Sequence, residues 1–101
     1  MKIAYVNEIP AMSQLQQFVQ TYTSEVNEAS HSSIFGITHA HYVISAVDGQ
    51  QLIGCGYINE QEGRSRTHIY VAAAYRERGI GRNIEKLLYA ERKFSPLTAA
   101  N

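Results

Sequence analysis

The stretch Val71-Ala-Ala-Ala-Tyr-Arg-Glu-Arg-Gly-Ile-Gly-Arg82 lies between an apolar strand pattern and a strongly periodic helix pattern. Within it, Arg76-x-x-Gly79-x-Gly81 places two glycines at the junction, where they permit a tight turn without Cβ atoms over the backbone N–H groups. The first N–H groups of a helix have no partner inside the helix, and they lie at the positive end of its dipole. The stretch therefore predicts a site for an anion such as phosphate or pyrophosphate.

Length and composition are those of one small globular domain, which we predict over residues 1–101. Apolar residues make up 45% of the 101 residues and charged residues 18%, which does not favour disorder. No apolar run has the length of a membrane span, and the N-terminus has no secretory signal pattern. Cys55 is the only cysteine, which excludes an intrachain disulfide and a cysteine-based zinc site. These features predict a cytoplasmic protein without a membrane partner.

Hydrophobic periodicity predicts the element order β-α-β-β-β-α, with a possible final strand. This is an α/β fold with a mostly antiparallel sheet, because Asp48-Gly49 predicts a tight hairpin between two of the strands. Gly54 and Gly56, inside the second hairpin strand, predict close approach of another backbone or ligand. The predicted bounds are a strand at 2–7, a helix at 11–28, a loop at 29–36, strands at 39–47, 51–58 and 66–71, a turn at 60–65, a helix at 80–93 and a final strand at 97–101.

The charges are segregated along the chain, although the formal net charge is zero. Residues 64–93 hold eight arginines and lysines against three glutamates, a net +5, and the remaining residues balance this with −5. Such asymmetry is typical of a half that meets a polyanion, but a solvated helix face with a charged hairpin tip gives the same pattern. Nucleic acid is not predicted as the partner, because no nucleic-acid motif accompanies the basic residues.

Two segments together resemble the GNAT superfamily of N-acetyltransferases. They are Ile69-Tyr-Val-x-x-x-Tyr-Arg-x-x-Gly-Ile-Gly81 and the upstream hairpin Ala46-Val-Asp-Gly-x-x-Leu-Ile-Gly54. The resemblance covers about residues 40–93, and it is specific because strand, helix and hairpin all accompany the glycine motif. It implies a GNAT-like mixed, mostly antiparallel sheet flanked by helices.

The resemblance implies acetyl-coenzyme A as co-substrate. The main-chain N–H groups of Arg78, Gly79, Ile80, Gly81 and Arg82 would hold its pyrophosphate. Arg76 occupies the position where the family has glutamine or arginine, and the strand edge from Ile69 to Val71 would pair with the pantetheine arm. Ala73 stands where the family commonly has proline, a difference that removes no hydrogen-bond donor.

The implied reaction transfers acetyl from the thioester to a primary amine, expected on a small molecule. It requires a deprotonated amine, a donor to the thioester oxygen and an acid for the leaving thiolate. The Val71 N–H holds the family's position for the donor. No acidic residue lies between Gly63 and Glu77, so His68 is the nearest candidate for the base. Glu60 and Glu62, predicted at a hairpin tip, are candidates to attract the amine.

Family members usually continue with a further strand, helix and hairpin, so we expect a domain that lacks the usual C-terminal part. An exposed edge strand then favours a homodimer. A non-catalytic acyl-coenzyme A-binding or dimerisation module of the same fold is the alternative function. His39 and His41, placed on one face of a predicted strand, would begin a metal site, but no third ligand accompanies them and we predict no metal.

Overall fold

The computed structural model describes residues 2–26 and 34–94. The elements follow the predicted order: β1 (Ile3–Val6), α1 (Met12–Val26), a 3₁₀ helix (Phe35–His39), β2 (Tyr42–Asp48), β3 (Gln51–Gln61), β4 (Arg64–Val71), a 3₁₀ turn (Ala73–Tyr75) and α2 (Ile80–Phe94). Within these residues, neither α1 nor α2 combines the length and hydropathy needed to span a bilayer.

The four strands form one antiparallel sheet in the order β1-β2-β3-β4. Gly49 adopts φ +67° in the β2–β3 turn, and Gly63 adopts φ +78° in the β3–β4 turn, the left-handed region that glycine enters without steric cost. Both hairpins are therefore confirmed. Among the described residues β4 pairs only with β3, so its other edge faces away from the sheet.

Each helix covers one face of the sheet and forms its own core cluster. On one face, α1 buries Leu15, Phe18 and Val19 against β2 and β3. On the other face, α2 buries Ile80, Ile84 and Leu88, which recur at the four-residue spacing of a helix stripe. The sheet thus separates two apolar layers, as a helix-flanked sheet requires.

Two glycines in β3 allow α2 to lie close to the sheet. A Cβ atom at Gly56 would lie 2.5 Å from Ile84 Cγ2 and 3.1 Å from Leu88 Cδ1. A Cβ atom at Gly54 would lie 3.2 Å from the carbonyl oxygen of Tyr70 and 3.4 Å from Ile84 Cδ1. The predicted close approach is present, and the approaching group is the α2 side-chain stripe together with the β4 backbone.

Several predicted positions are wrong. The strand predicted at 39–47 begins at Tyr42, because His39 ends the 3₁₀ helix and His41 precedes the strand. The two histidines therefore do not share a strand face. Glu60 lies inside β3, which extends to Gln61, rather than at the hairpin tip. Leu87, which with Ile80, Ile84 and Leu88 gives the apolar pattern that predicts the helix at 80–93, is 39% exposed and does not belong to the buried stripe. The final strand predicted at 97–101 and the loop residues 29–33 lie outside the described residues.

Candidate functional site

The start of α2 presents backbone donors that have no partner within residues 2–26 and 34–94. Its first recorded backbone bond joins the Asn83 N–H to the Gly79 carbonyl at 2.9 Å. Across the described chain, no acceptor pairs with the N–H groups of Gly79, Ile80, Gly81 and Arg82. Such donors are those that an anion at a helix N-terminus engages.

The glycines keep these donors accessible. Gly79 adopts φ +76°, and a Cβ atom there would meet nothing within 4 Å, so the space beside it is open. A Cβ atom at Gly81 would lie 3.5 Å from Val71 Cγ2 and 3.6 Å from Ile69 Cγ2. The helix N-terminus therefore lies directly beside the last residues of β4.

Hydrogen-bond alternation decides which β4 groups face outward. The Ala72 N–H donates to the Ile53 carbonyl at 2.9 Å, beyond the Gly54–Val71 pair. Because hydrogen-bonded and non-hydrogen-bonded pairs alternate in an antiparallel ladder, Val71 and Ile69 turn their N–H and C=O groups away from β3. The outer edge of β4 thus offers the N–H groups of Ile69 and Val71 beside the helix start.

The loop between β4 and α2 is fixed by two arginines and a tyrosine. Arg76 Nε donates to the outward Val71 carbonyl at 3.1 Å, and its guanidinium lies 5.7 Å from the ring centre of Tyr22 on α1. Tyr75 donates its hydroxyl proton to Asp48 Oδ2 at 2.7 Å, a bond that raises the pKa of the tyrosine. Arg78 lies over the Tyr75 ring at 5.6 Å. The sequence did not predict that the Arg76 side chain would link β4 to α1, because the motif uses only the backbone of this residue.

His68 lies on the opposite face of β4 from α2. Its imidazole stacks on Tyr57 with ring centres 4.7 Å apart and an angle of 17°. Partial burial, reinforced by the Arg66 charge, lowers the His68 pKa below its usual value of 6.5, so the ring is neutral at pH 7. His68 precedes Val71 by three residues, about 10 Å along a strand, and its side chain lies on the other face. The structure therefore does not bring these two predicted residues into direct contact.

Glu60 and Glu62, the two glutamates predicted to attract the amine, lie in different places. Glu60 Oε2 accepts a hydrogen bond from Arg92 of α2 at 3.2 Å, which commits it to the α2 side of the sheet. Glu62 lies in the β3–β4 turn with φ +53°. The described residues hold no group of three or more histidine, cysteine, aspartate or glutamate side chains arranged for a metal ion.

The acetyltransferase (GNAT) family model matches residues 11–93, which is most of the chain. The chain belongs to the GNAT family. Its fold is that of solved GNAT structures, and the site described above is the strand–turn–helix segment of this GNAT domain.

Three solved structures illustrate the likeness. A GNAT family acetyltransferase from Brucella melitensis, solved with acetyl-CoA, superposes with a TM-score of 0.75 at 13% identity, over 94% of this chain and 71% of that one. A probable acetyltransferase of unknown function from meticillin-resistant Staphylococcus aureus gives 0.69 at 16% identity, over 91% and 70%. An aminoglycoside 6'-N-acetyltransferase complexed with coenzyme A gives 0.68 at 18% identity, over 90% of this chain but 54% of its own. At these identities the likeness shows the fold. No curated protein matches the chain significantly.

Proposed function

We propose that this GNAT domain is an N-acetyltransferase that binds acetyl-CoA and transfers its acetyl group to a primary amine, as expected on a small molecule. One observation carries the proposal: four N–H groups at the start of α2, with no acceptor in the part of the chain that the structure describes, lie beside the outward edge of β4. A helix N-terminus suits a pyrophosphate, and a free strand edge suits the amide-containing pantetheine arm.

Backbone N–H groups and two cationic side chains of α2 together bind the phosphates of the co-substrate. The N–H groups of residues 79–82 hold the pyrophosphate, together with that of Arg78. The exposed cations Arg82 and Lys86, one turn apart on α2, face its remaining charge. The open space beside Gly79 fits this assignment, because a side chain there would occupy the position of the phosphate oxygens.

The chemistry centres on the end of β4. The neutral acceptor nitrogen attacks the thioester carbonyl carbon, a C–N bond forms, the C–S bond breaks and the coenzyme leaves as thiolate. The thiolate takes up, through solvent, the proton that the nitrogen loses on becoming an amide. The Val71 N–H donates to the carbonyl oxygen as negative charge develops there. His68, neutral at pH 7, takes the proton from the ammonium form of the amine through water, because about 10 Å separates it from Val71 along the strand.

A non-catalytic acyl-coenzyme A-binding module is the second candidate. It is favoured by the absence of any acidic residue between Gly63 and Glu77, which leaves β4 without a carboxylate base. The outer edge of β4, which pairs with no other strand within residues 2–26 and 34–94, also favours a homodimer as part of the proposal. Light scattering coupled to size exclusion distinguishes a dimer from a monomer.

Calorimetric titration with acetyl-CoA tests the site with a matched pair of variants. Gly79→Val and Gly63→Val introduce the same strain, since both glycines have φ near +77° and open space around them, but Gly63 lies at the opposite end of β4. We expect Gly79→Val to lower affinity at least tenfold, about 1.4 kcal/mol, and Gly63→Val to bind as wild type. Unchanged binding by Gly79→Val would show that the N–H groups at the start of α2 do not hold the pyrophosphate.

A thiol-release assay over a panel of amines then separates the two functions. Release of coenzyme A that depends on an amine supports the transferase. Tight acetyl-CoA binding without release from any amine supports the binding module. The absence of acetyl-CoA binding in the folded protein contradicts both.

A further inference from the structure

Arg64, Arg66 and His68 form a row along one face of β4. Side chains alternate between the two faces of a strand, so these three share the face of Tyr70, which packs in the α1 cluster. Stacking of His68 on Tyr57, a member of the same cluster, confirms the orientation. Together with Asn59 and Glu62, the row lines an open groove, which we call the arginine groove.

The two arginines in this groove have no protein partner among the described residues. Arg64 and Arg66 are exposed, and neither makes a hydrogen bond or ion pair there. Arg92 provides the contrast, since it contacts Glu60 and Ser65 at 3.2 Å on the other face. Because Glu60 lies on that face, Glu62 is the only carboxylate among the described residues that lines the arginine groove.

The position of the groove relative to the reaction follows from strand geometry. The thioester lies along Ile69–Val71 in the proposed function, and Arg66 lies three to five residues before these positions. At about 3.3 Å per residue, Arg66 is about 10–16 Å from the reacting atoms. Arg64 extends the same row by about another 7 Å.

We propose that the arginine groove binds an anionic group on the acceptor and that the acceptor is an acidic peptide. This inference rests on the proposed acetyl transfer to a primary amine, but it places that amine on a peptide instead of the expected small molecule. Paired guanidinium groups favour carboxylate, and they point to an anion rather than to the cationic acceptor that the glutamates suggested. A free amino acid holds its amine and carboxylate within a few ångströms, so it does not span the gap. An extended peptide covers about 3.3–3.6 Å per residue, so an acidic side chain three to five residues from the amine reaches Arg66.

Acetylation of a peptide series tests the spacing. Seven-residue alanine–serine peptides with a free N-terminal amine and an amidated C-terminus carry one glutamate at each position from 2 to 7, with the matching glutamine peptides as neutral controls. We expect the lowest KM with glutamate at positions 4 to 6, and about a threefold to fivefold advantage over glutamine, as for an exposed ion pair. Equal KM values across the series, or a preference for glutamine, would overturn the proposal.

Charge-neutral variants locate the effect. Arg66→Gln and Arg64→Gln each remove the advantage of the glutamate peptide and leave KM for the glutamine peptide unchanged. Glu62→Gln, of nearly the same size, strengthens the preference about twofold because it removes the opposing charge. Arg92→Gln is the matched control, since it removes an arginine from the other face of the sheet. A loss of glutamate preference in Arg92→Gln equal to that in Arg66→Gln would count against the groove.

Direct binding keeps the proposal testable without turnover. Fluorescence anisotropy with a labelled position-5 glutamate peptide, in the presence of coenzyme A, gives a Kd that rises with salt if the contact is ionic. An acidic peptide that does not bind overturns this proposal alone when acetyl-CoA still binds and other amines are acetylated. Failure of acetyl-CoA binding contradicts the proposed function instead.

Discussion

Replacing Gly56 by alanine tests how closely α2 approaches the sheet. The new methyl group would lie 2.5 Å from Ile84 Cγ2, 3.1 Å from Leu88 Cδ1 and 3.2 Å from the carbonyl oxygen of His68. Real Cβ atoms do not make contacts near 2.5 Å, so some atom must move. Ile84 and Leu88 are fully buried, and the third contact is backbone, so the strain falls on the helix rather than on a flexible side chain.

The size of the effect follows from overpacking. An extra methyl in a filled core costs about 1–3 kcal/mol, and the lower chain entropy of unfolded alanine offsets about 0.4–1 kcal/mol of that. The net loss is about 0–2.6 kcal/mol, and the 2.5 Å contact places Gly56→Ala towards its upper end, at about 2 kcal/mol, or roughly 8–16 °C in Tm for a chain of this size. Gly54→Ala is the matched control, because its closest contacts are 3.2 Å and 3.4 Å, and we expect a loss below about 1 kcal/mol.

A double-mutant cycle assigns the loss to the Ile84 contact. Ile84→Ala alone costs about 2–5 kcal/mol, but it also removes the methyl that the new side chain would meet. In that background Gly56→Ala should cost less than about 1 kcal/mol, a coupling of at least about 1 kcal/mol. Urea unfolding followed by circular dichroism measures all four proteins. Additive losses, or a Gly56→Ala protein as stable as wild type, would refute the close approach of α2 to β3.

The remaining predictions concern the turn, the cysteine and the histidine. Gly79→Ala should lose about 1–2 kcal/mol in urea unfolding because of its positive φ, whereas Gly81→Ala, in ordinary contact distance inside α2, should be neutral or more stable by up to about 1 kcal/mol. Cys55 is fully buried and burial raises its pKa to about 12, so a thiol reagent at pH 8 should label it only after unfolding; rapid labelling of the native protein would contradict this. The pKa of His68 is lowered in the folded protein, so below pH 6.5 the unfolded chain binds a proton that the folded protein does not. The stability that the neutral His68 ring contributes is therefore complete above pH 6.5 and is lost as the pH falls towards the folded pKa. The stability of wild type relative to His68→Gln should therefore decrease between pH 7 and pH 5, and a pH-independent difference would rule out the shift.

Local patterns predicted most of this fold because its elements are specified by neighbours in the sequence. The stripe of Ile80, Ile84 and Leu88 predicts α2, and Asp48-Gly49 predicts the first hairpin, whose turn needs a positive φ. The element order and both hairpins are confirmed. The apolar 3–4-residue spacing likewise predicts α1, which the structure describes from Met12 to Val26.

The errors at His39 and Glu60 occur where the sequence immediately around a residue does not determine its secondary structure or its contacts. His39 reads as strand because β-branched and aromatic residues follow it, but it is the last residue of a 3₁₀ helix whose Ile37 is buried in the core. Glu60 reads as part of a turn because Gly63 is near, but it pairs with Ser65, and the Gln61–Arg64 pair extends β3 beyond it. Its contact with Arg92 joins residues 32 positions apart, which no local pattern reveals.

The site itself follows from the period-two geometry of β4. Odd-numbered residues such as Ile69 and Val71 place their side chains under α2 and turn their N–H groups to the free edge, where the co-substrate is proposed to lie. Even-numbered residues such as Arg66 and His68 turn their N–H groups to β3 and their side chains to the arginine groove. In the two proposals, one strand therefore separates the co-substrate site from the peptide site by residue parity. A slip of β4 by one residue would exchange the two sets, burying Arg66 beneath α2 and turning the Val71 donor into the ladder, so the β3–β4 register is a condition for the proposed chemistry.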